Sequence, residues 1–142
     1  MGETRALLEQ NVQHWNAHDA AAWTGDFRSD AKLVGPGVAG SGADMVRTFY
    51  SIWQDAFPDN EVRVINMFED GATTILQAEF QGTHTGTMNT PDQTIPATGR
   101  RVNIPFVTIE RFDGEKIAQF TLYFDRAEML GQLGLLPASA PA

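Results

Sequence analysis

The sequence contains no cysteine and only three histidines among its 142 residues. Because cysteine is absent, a disulfide, a thiolate nucleophile and a thiolate metal site are all excluded. A metal ion would have to be bound by histidine and carboxylate. His14 and His18 share a helical face at i, i+4 spacing, but no glutamate lies between them as it does in zinc peptidases. We therefore expect no metal site.

Basic residues are also scarce. Ten Lys and Arg residues against 18 Asp and Glu residues give a formal net charge of −8. Nucleic acid binding requires a concentrated basic surface, whereas the one basic cluster here is Arg100 with Arg101. No apolar run reaches the roughly 18 residues needed to cross a bilayer, and no apolar signal segment follows the first residues. These absences predict a cytoplasmic protein that binds neither nucleic acid nor membrane.

Hydrophobic residues make up 42% of the chain, which is enough for one globular domain over residues 1–142 with an ordinary core. The first part of the chain has helical periodicity. Leu8, Val12 and Trp15 recur at i, i+4, i+7, and Asp19 is a suitable N-cap for a second short helix. Ser41, followed three residues later by Asp44, resembles a capping box for a third helix. The buried stripe of that helix would contain Met45, Phe49, Ile52, Trp53 and Ala56.

The rest of the chain alternates as strands do. A short strand is predicted over residues 30–34, and longer ones over residues 62–68, 73–81, 101–112 and 116–124, with turns at Asp70–Gly71 and Asp113–Gly114. Residues 85–99 show no period and read as a mobile flap. The pattern predicts an α+β fold: a curved, mostly antiparallel sheet wrapped around three N-terminal helices, with a short C-terminal helix. A sheet curved around helices in this way forms a cone, and we expect a pocket at the open end of that cone.

The junction between the last strand and the last helix contains a carboxylate. One face of the last strand carries Gln119, Thr121, Tyr123 and Asp125. Helical spacing begins after residue 125 and ends before Pro137. Residues 138–142 are expected to fray. Asp125 is therefore either the N-cap of the closing helix or a base in a water-poor pocket. The sequence leaves both interpretations open, and the two are compatible.

Five short motifs resemble those of the SnoaL-like polyketide cyclases, also called ester cyclases. They are GTHTG at 82–86, PATGR at 96–100, RFDGEKI at 111–117, YFD at 123–125 and QLGLLP at 132–137. The resemblance implies a nuclear-transport-factor-2-like cone. It also implies that an aspartate matching Asp125 is the acid/base for intramolecular aldol closure of a polyketide methyl ester, without metal or cofactor.

Carbon–carbon ring closure needs a base for a C–H proton and donors for the enolate oxygen. We expect Asp125 to be the base and His84 to orient it or hold the substrate carbonyl. The remaining residues expected to contact a small hydrophobic substrate are Gln119, Thr121, Tyr123, Trp15, Trp53, Phe49 and Phe106. Each also has a structural explanation, because His84 could face solvent and the aromatic residues could belong to the core.

Two classes of function follow from these expectations. The first is a cofactor-independent cyclase or isomerase that acts on a hydrophobic, polyketide-like carbonyl compound. The second is a non-catalytic binding or dimerisation module of the same fold, and an epoxide-hydrolase-like enzyme is a further alternative. Ile104, Phe106 and Leu122 are too apolar for an exposed sheet face, so we expect a homodimer formed through the sheet.

Overall fold

The computed structural model describes residues 2–136. The predicted Pro137 stop and the frayed tail at 138–142 lie outside the described residues. The helices are α1 (Glu3–Asn16), α2 (Ala20–Gly25), α3 (Ala43–Ala56) and α4 (Arg126–Gln132). The strands are β1 (Phe27–Gly35), β2 (Val38–Ser41), β3 (Glu61–Asp70), β4 (Thr73–Thr83), β5 (Met88–Thr90), β6 (Gln93–Ile95), β7 (Arg101–Asp113) and β8 (Lys116–Phe124). No helix within residues 2–136 is both long and apolar enough to cross a membrane.

Six of the strands form one sheet in the order β2-β1-β8-β7-β4-β3. Neighbouring strands run antiparallel except β1 and β8, which are parallel because the chain crosses the sheet between them. The predicted turns at Asp70–Gly71 and Asp113–Gly114 connect β3 to β4 and β7 to β8, and both glycines have positive φ. The predicted α+β fold with a mostly antiparallel sheet is confirmed.

The N-terminal helices cover one face of this sheet. Leu8, Val12 and Trp15 of α1 are buried, as their spacing predicted, and the Asp19 side chain caps α2 by accepting a hydrogen bond from Ala22 N–H at 3.1 Å. The capping box predicted for α3 is wrong. Ser41 pairs with Lys32 in the sheet, and α3 begins after Gly42 without any side-chain cap.

The segment 85–99 contains regular structure that its sequence did not reveal. Strands β5 and β6 pair as a two-stranded hairpin, and Met88 and Ile95 are buried in the core. The hairpin starts where Gly86 N–H donates to Ala56 O at 3.1 Å, directly at the end of α3. The prediction of a segment without regular structure is therefore wrong, because two isolated apolar side chains anchor a hairpin too short to show a period.

Strand β8 has a buried and an exposed face, as its alternation predicted, but the apolar face is the inner one. Phe120 and Leu122 are buried against the helices, with Phe124 half-buried beside them. Tyr123, on the opposite face, is 57% exposed. The polar face of β8 is thus the outer surface of the sheet, which decides where the functional site can lie.

Candidate functional site

A cavity lies between the helices and the inner face of the sheet. The space inside it that is open to the centre of a water molecule is about 70 Å³. Aromatic and aliphatic side chains form most of its wall. The lining residues are Asn11, Val12, Trp15, Trp23, Phe49, Trp53, Val62, Leu76, Phe80, Ile104, Phe106, Thr108, Glu110, Phe120, Leu122 and Phe124.

Glu110 places the one carboxyl group in this wall. It lies on β7 directly opposite Thr74 of β4, and its side chain is fully buried. Thr74 Oγ1 donates a hydrogen bond to Glu110 Oε1 at 2.9 Å. Glu110 Oε2 has no hydrogen-bond partner among the residues described. One carboxyl oxygen is therefore held by a hydrogen bond from the neighbouring strand, and the other is buried in the cavity wall without a hydrogen-bond partner.

The buried environment changes the acidity of this group. Burial disfavours the charged form of a carboxyl group and raises the pKa of Glu110 from its ordinary value of 4.5 to about 7. The hydroxyl groups of Thr108 and, to a smaller extent, Thr74 lower the pKa of Glu110, but together they do so by less than burial raises it. A carboxyl group with a pKa near neutrality can both accept and return a proton under physiological conditions.

Thr108 adds a second polar group next to Glu110. It lies two residues earlier on β7, so both side chains face the cavity. Thr108 is buried, and its Oγ1 makes no hydrogen bond of good geometry within residues 2–136, although it lies close enough to the Glu110 carboxyl group to lower its pKa. A hydroxyl group can donate or accept a hydrogen bond, so Thr108 can donate to a carbonyl oxygen whether Glu110 is neutral or ionised.

The helical side of the cavity carries one amide, Asn11 of α1. Asn11 Nδ2 donates to Asp26 Oδ2 at 3.0 Å, and His14 Nδ1 lies 2.8 Å from the same oxygen. Asn11 is buried, whereas Asp26 and His14 are partly exposed. The three side chains connect the cavity wall to the surface between α1 and the start of β1.

Asp125 does not lie in the cavity. Its side chain is exposed and caps α4, with Oδ1 accepting a hydrogen bond from Glu128 N–H at 3.1 Å. The expectation that this carboxylate points into a water-poor hollow is wrong, and the N-cap interpretation is confirmed. The physical reason is the strand's parity: the face with Gln119, Thr121 and Tyr123 points away from the helices, and Asp125 follows that face.

His84 is also outside the cavity lining, although it is fully buried. Its Nδ1 accepts a hydrogen bond from Thr98 N–H at 3.2 Å and lies 3.0 Å from Thr98 Oγ1. Its ring packs against Phe57 with centroids 5.2 Å apart, and burial lowers its pKa. His84 therefore connects the two ends of the 85–99 segment, and the structure brings it neither to Asp125 nor to the cavity.

The predicted substrate-binding residues divide into two groups. Trp15, Phe49, Trp53 and Phe106 all line the cavity, so a contact with substrate stays a prediction that the geometry allows. Gln119, Thr121 and Tyr123 do not line it, because they lie on the outer face of β8. Their expected position in the pocket is wrong.

Glu110 is the residue that sequence reasoning missed. Parity along β7 places it on the same face as the apolar residues Ile104, Phe106 and Phe112. A glutamate on the apolar face of a strand is rare, because burying a carboxylate is costly. The position of Glu110 on an apolar face was therefore a signal present in the sequence. The family motifs instead pointed to Asp125, the carboxylate after the last strand.

No group of three or more His, Asp or Glu side chains within residues 2–136 is arranged to hold a metal ion. Among the residues lining the cavity, Glu110 is the single acidic side chain and none is basic. Apart from the indole N–H groups of its tryptophans, the polar chemistry that this cavity can supply therefore comes from a carboxyl, a hydroxyl and an amide.

Comparisons with known proteins agree with this architecture. AclR from Streptomyces galilaeus, provisionally assigned as a hydroxylase, has 26% identity and a TM-score of 0.80, covering 97% of this chain and 89% of that one. IdmH from Streptomyces antibioticus, provisionally assigned as a polyketide cyclase, has 19% identity and a TM-score of 0.74, covering 92% and 97%. An NTF2-like protein from Burkholderia pseudomallei has 17% identity and a TM-score of 0.76, covering 94% and 98%.

The likenesses below 25% identity establish the fold, which is the nuclear-transport-factor-2-like cone that the sequence motifs implied. No curated protein matches the chain at a significant level. The family model for SnoaL-like polyketide cyclases matches residues 5–133, nearly the whole chain. The chain therefore belongs to the SnoaL-like polyketide cyclase family.

Proposed function

We propose that this protein is a cofactor-independent enzyme of the cyclase or isomerase type, in which Glu110 is the acid/base. The substrate is a hydrophobic carbonyl compound that fills the aromatic cavity. One observation carries the proposal: a fully buried carboxyl group, with one oxygen unpartnered, forms part of an apolar cavity wall. Family membership supports the reaction class, while the choice of Glu110 rests on the geometry alone.

The reaction begins with ionised Glu110. Its carboxylate removes a proton from a carbon next to a carbonyl, and the C–H electron pair moves into an enolate. The enolate carbon attacks a second carbonyl in the same molecule, so a carbon–carbon bond forms and that C=O becomes an alkoxide. Protonated Glu110 then returns its proton to the alkoxide oxygen. Thr108 Oγ1, on the same face of β7, donates a hydrogen bond to the enolate oxygen while the charge is there.

The aromatic wall favours this chemistry in two ways. It raises the pKa of Glu110 toward 7, which makes the carboxylate a much stronger base than one exposed to water. It also keeps water away from the enolate, so hydrogen bonds from the wall are stronger than they would be in solution. The epoxide-hydrolase alternative is not favoured, because the cavity wall, all within residues 2–136, contains no arginine and no aspartate.

The direct test uses a generic probe of carboxylate bases, 5-nitrobenzisoxazole. Removal of its C3 proton breaks the N–O bond and releases a coloured cyanophenolate. Wild-type protein is expected to accelerate this reaction, and Glu110→Gln to lower the rate constant about 100-fold or more, because glutamine has the same shape but no basic oxygen. The reaction is followed by absorbance at saturating protein.

Glu115→Gln, in the exposed turn between β7 and β8, is the matched control and should leave the rate unchanged. A rate in Glu110→Gln equal to that of wild type would overturn the proposal. If Asp125→Asn lost the activity instead, the base would be Asp125, as the sequence motifs implied. Absence of any acceleration by the wild type would favour a non-catalytic binding module.

We also propose that the protein acts in the cytoplasm as a homodimer formed through the outer face of the sheet. The residues first expected at that interface, Ile104, Phe106 and Leu122, face the cavity, so that part of the expectation is wrong. The strand register instead aligns a row of mostly apolar residues across five strands of the outer face. Its members are Phe68, Ile75, Ile109, Thr121 and Val34, and Phe68 is 54% exposed.

The row passes through the middle of the sheet, so a two-fold axis near Ile109 would bring each half of the row against the other half. Ile109→Glu is expected to convert the dimer to a monomer, because two copies would place like charges together in an apolar interface. Light scattering at micromolar concentration measures the mass. Gln81→Glu, on the same face but outside the row, is the control and should stay dimeric. A monomeric wild type would contradict the proposal.

A further inference from the structure

The cavity also has a polar group on its helical side, across from the sheet that carries Glu110. Asn11 comes from α1, whereas Thr108 and Glu110 come from the sheet, yet all three line the same cavity. Asn11 is only 4% exposed, on a helical face whose other buried members are Leu8, Val12 and Trp15. A buried amide is unfavourable on such a face unless its polar atoms are used. Within residues 2–136, only one of the two side-chain polar atoms of Asn11, the amide nitrogen, has a hydrogen-bond partner.

The orientation of the Asn11 amide is fixed by its neighbour. Asn11 Nδ2 lies 3.0 Å from Asp26 Oδ2, and a carboxylate oxygen accepts hydrogen bonds but cannot donate them. The opposite orientation of the amide would place two acceptor oxygens against each other. Asn11 Oδ1 must therefore point away from Asp26, and no hydrogen bond to it exists within residues 2–136.

Asp26 is itself held in place from two directions. His14 Nδ1 lies 2.8 Å from Oδ2, the same oxygen that Asn11 contacts. The backbone carbonyl of Asp26 accepts a hydrogen bond from Ile117 N–H at 2.9 Å, which connects it to the first residues of β8. Asp26 is thus anchored to both the helix and the sheet, and the acceptor that Asn11 presents has a fixed direction.

We infer that Asn11 is a specificity-determining residue whose Oδ1 accepts a hydrogen bond from a hydroxyl or N–H group of the substrate. This inference rests on the proposed function, and it narrows the substrate class. The molecule is a hydrophobic carbonyl compound that reacts at Glu110 and carries a hydrogen-bond donor at a different position. A site built in this way disfavours an analogue that lacks the donor, because such an analogue would displace water from the amide oxygen without replacing its hydrogen bond.

Two probes of nearly equal shape test the inference without requiring the true substrate. Indole has a ring N–H where indene has a CH₂ group. Their binding to wild-type protein and to Asn11→Leu is measured by isothermal titration calorimetry. Asn11→Leu is expected to weaken indole binding about tenfold or more, and to leave indene binding within about twofold, because only indole has the donor.

A second variant tests the orienting role of Asp26. In Asp26→Asn the neighbour can donate as well as accept, so the Asn11 amide is no longer held in one orientation. We expect indole binding to weaken in this variant while indene binding is unchanged. A purely structural role for the Asn11–Asp26 contact predicts a different result: both variants would lower the melting temperature and affect the two probes equally.

Equal effects on indole and indene in Asn11→Leu would overturn the inference, as would failure of wild-type protein to bind indole more tightly than the variant. The outcome is separable from that of the proposed function. Proton abstraction that depends on Glu110, together with no discrimination by Asn11, would refute the inference alone. Discrimination by Asn11 without Glu110-dependent proton abstraction would refute the proposed function alone.

Discussion

Glu110→Gln should make the protein more stable at neutral and alkaline pH, by an amount that disappears in acid. The carboxyl group of Glu110 has a pKa of about 7 in the folded protein and close to its ordinary 4.5 once the chain unfolds. Between these values the folded state binds more protons than the unfolded state, so stability falls as pH rises. The full contribution of the neutral carboxyl group is present below 4.5 and is lost by the time the pH exceeds 7.

A shift of this size corresponds to about 3 kcal/mol of unfolding free energy. Urea unfolding of both proteins, from about pH 4 to about pH 8, measures the difference between their unfolding free energies. We expect that difference to grow by about 3 kcal/mol in favour of Glu110→Gln as the pH rises, since glutamine has no proton to lose. Because a dimer would make stability depend on protein concentration, that concentration is held constant.

Glu115→Gln should follow the wild-type curve at every pH, because Glu115 is exposed in a turn. Parallel curves for wild type and Glu110→Gln would show that Glu110 is not held neutral by burial, and would remove the electrostatic basis of its proposed role as an acid/base. The same burial that destabilises the folded protein at neutral pH makes the carboxylate basic, so the expected gain in stability and the expected loss of proton abstraction have one cause.

The elements of the fold were predictable where a local pattern determined them. The alternation in β7 and β8, the aspartate–glycine turn between them and the Asp19 cap depend on residues close together in the sequence. The hairpin of β5 and β6 depends instead on burial of Met88 and Ile95, which no short-range pattern reveals. Local signals therefore identified five of the six strands of the main sheet, but neither the edge strand β2 nor the segment packed against the end of α3.

The position of the site was harder to predict, because alternation separates the two faces of a strand without saying which of them is inside. The sequence favours the hydrogen-bonding face of β8 as the pocket lining, since polar groups are expected to contact substrate. The structure reverses that assignment: Phe120 and Leu122 line the cavity and Tyr123 is on the outer surface. The free energy gained by burying the apolar face of β8 determines which face is inside. The polar groups of the cavity therefore come from other elements.

Gly86→Ala should destabilise the protein by about 3 kcal/mol or more, because the structure has no room for a side chain at this position. A Cβ atom on Gly86 would lie 1.8 Å from the carbonyl oxygen of Asp55 and 2.9 Å from its carbonyl carbon. Both are backbone atoms near the end of α3, so they cannot rotate away as a flexible side chain could. The φ angle of Gly86 is not positive, and the requirement for glycine is therefore one of space.

The expected loss comes from separating the hairpin from α3. Relief of the contact would break the hydrogen bond from Gly86 N–H to Ala56 O and expose Met88. Urea unfolding gives the loss of stability, and amide hydrogen exchange at Met88 and Ile95 shows whether the hairpin opens first. Gly25→Ala is the matched control, because no atom lies within 4 Å of a Cβ placed there and its φ is not positive.

Gly25→Ala should change the unfolding free energy by no more than about 1 kcal/mol. If Gly86→Ala behaved in the same way, the close approach of the hairpin to α3 would be refuted. If it is destabilised as expected, α3 loses support at the end that carries Trp53, whose ring packs on Phe80 and Phe124 in the cavity wall. The hairpin would then contribute to the shape of the cavity through α3, without any of its own residues lining it.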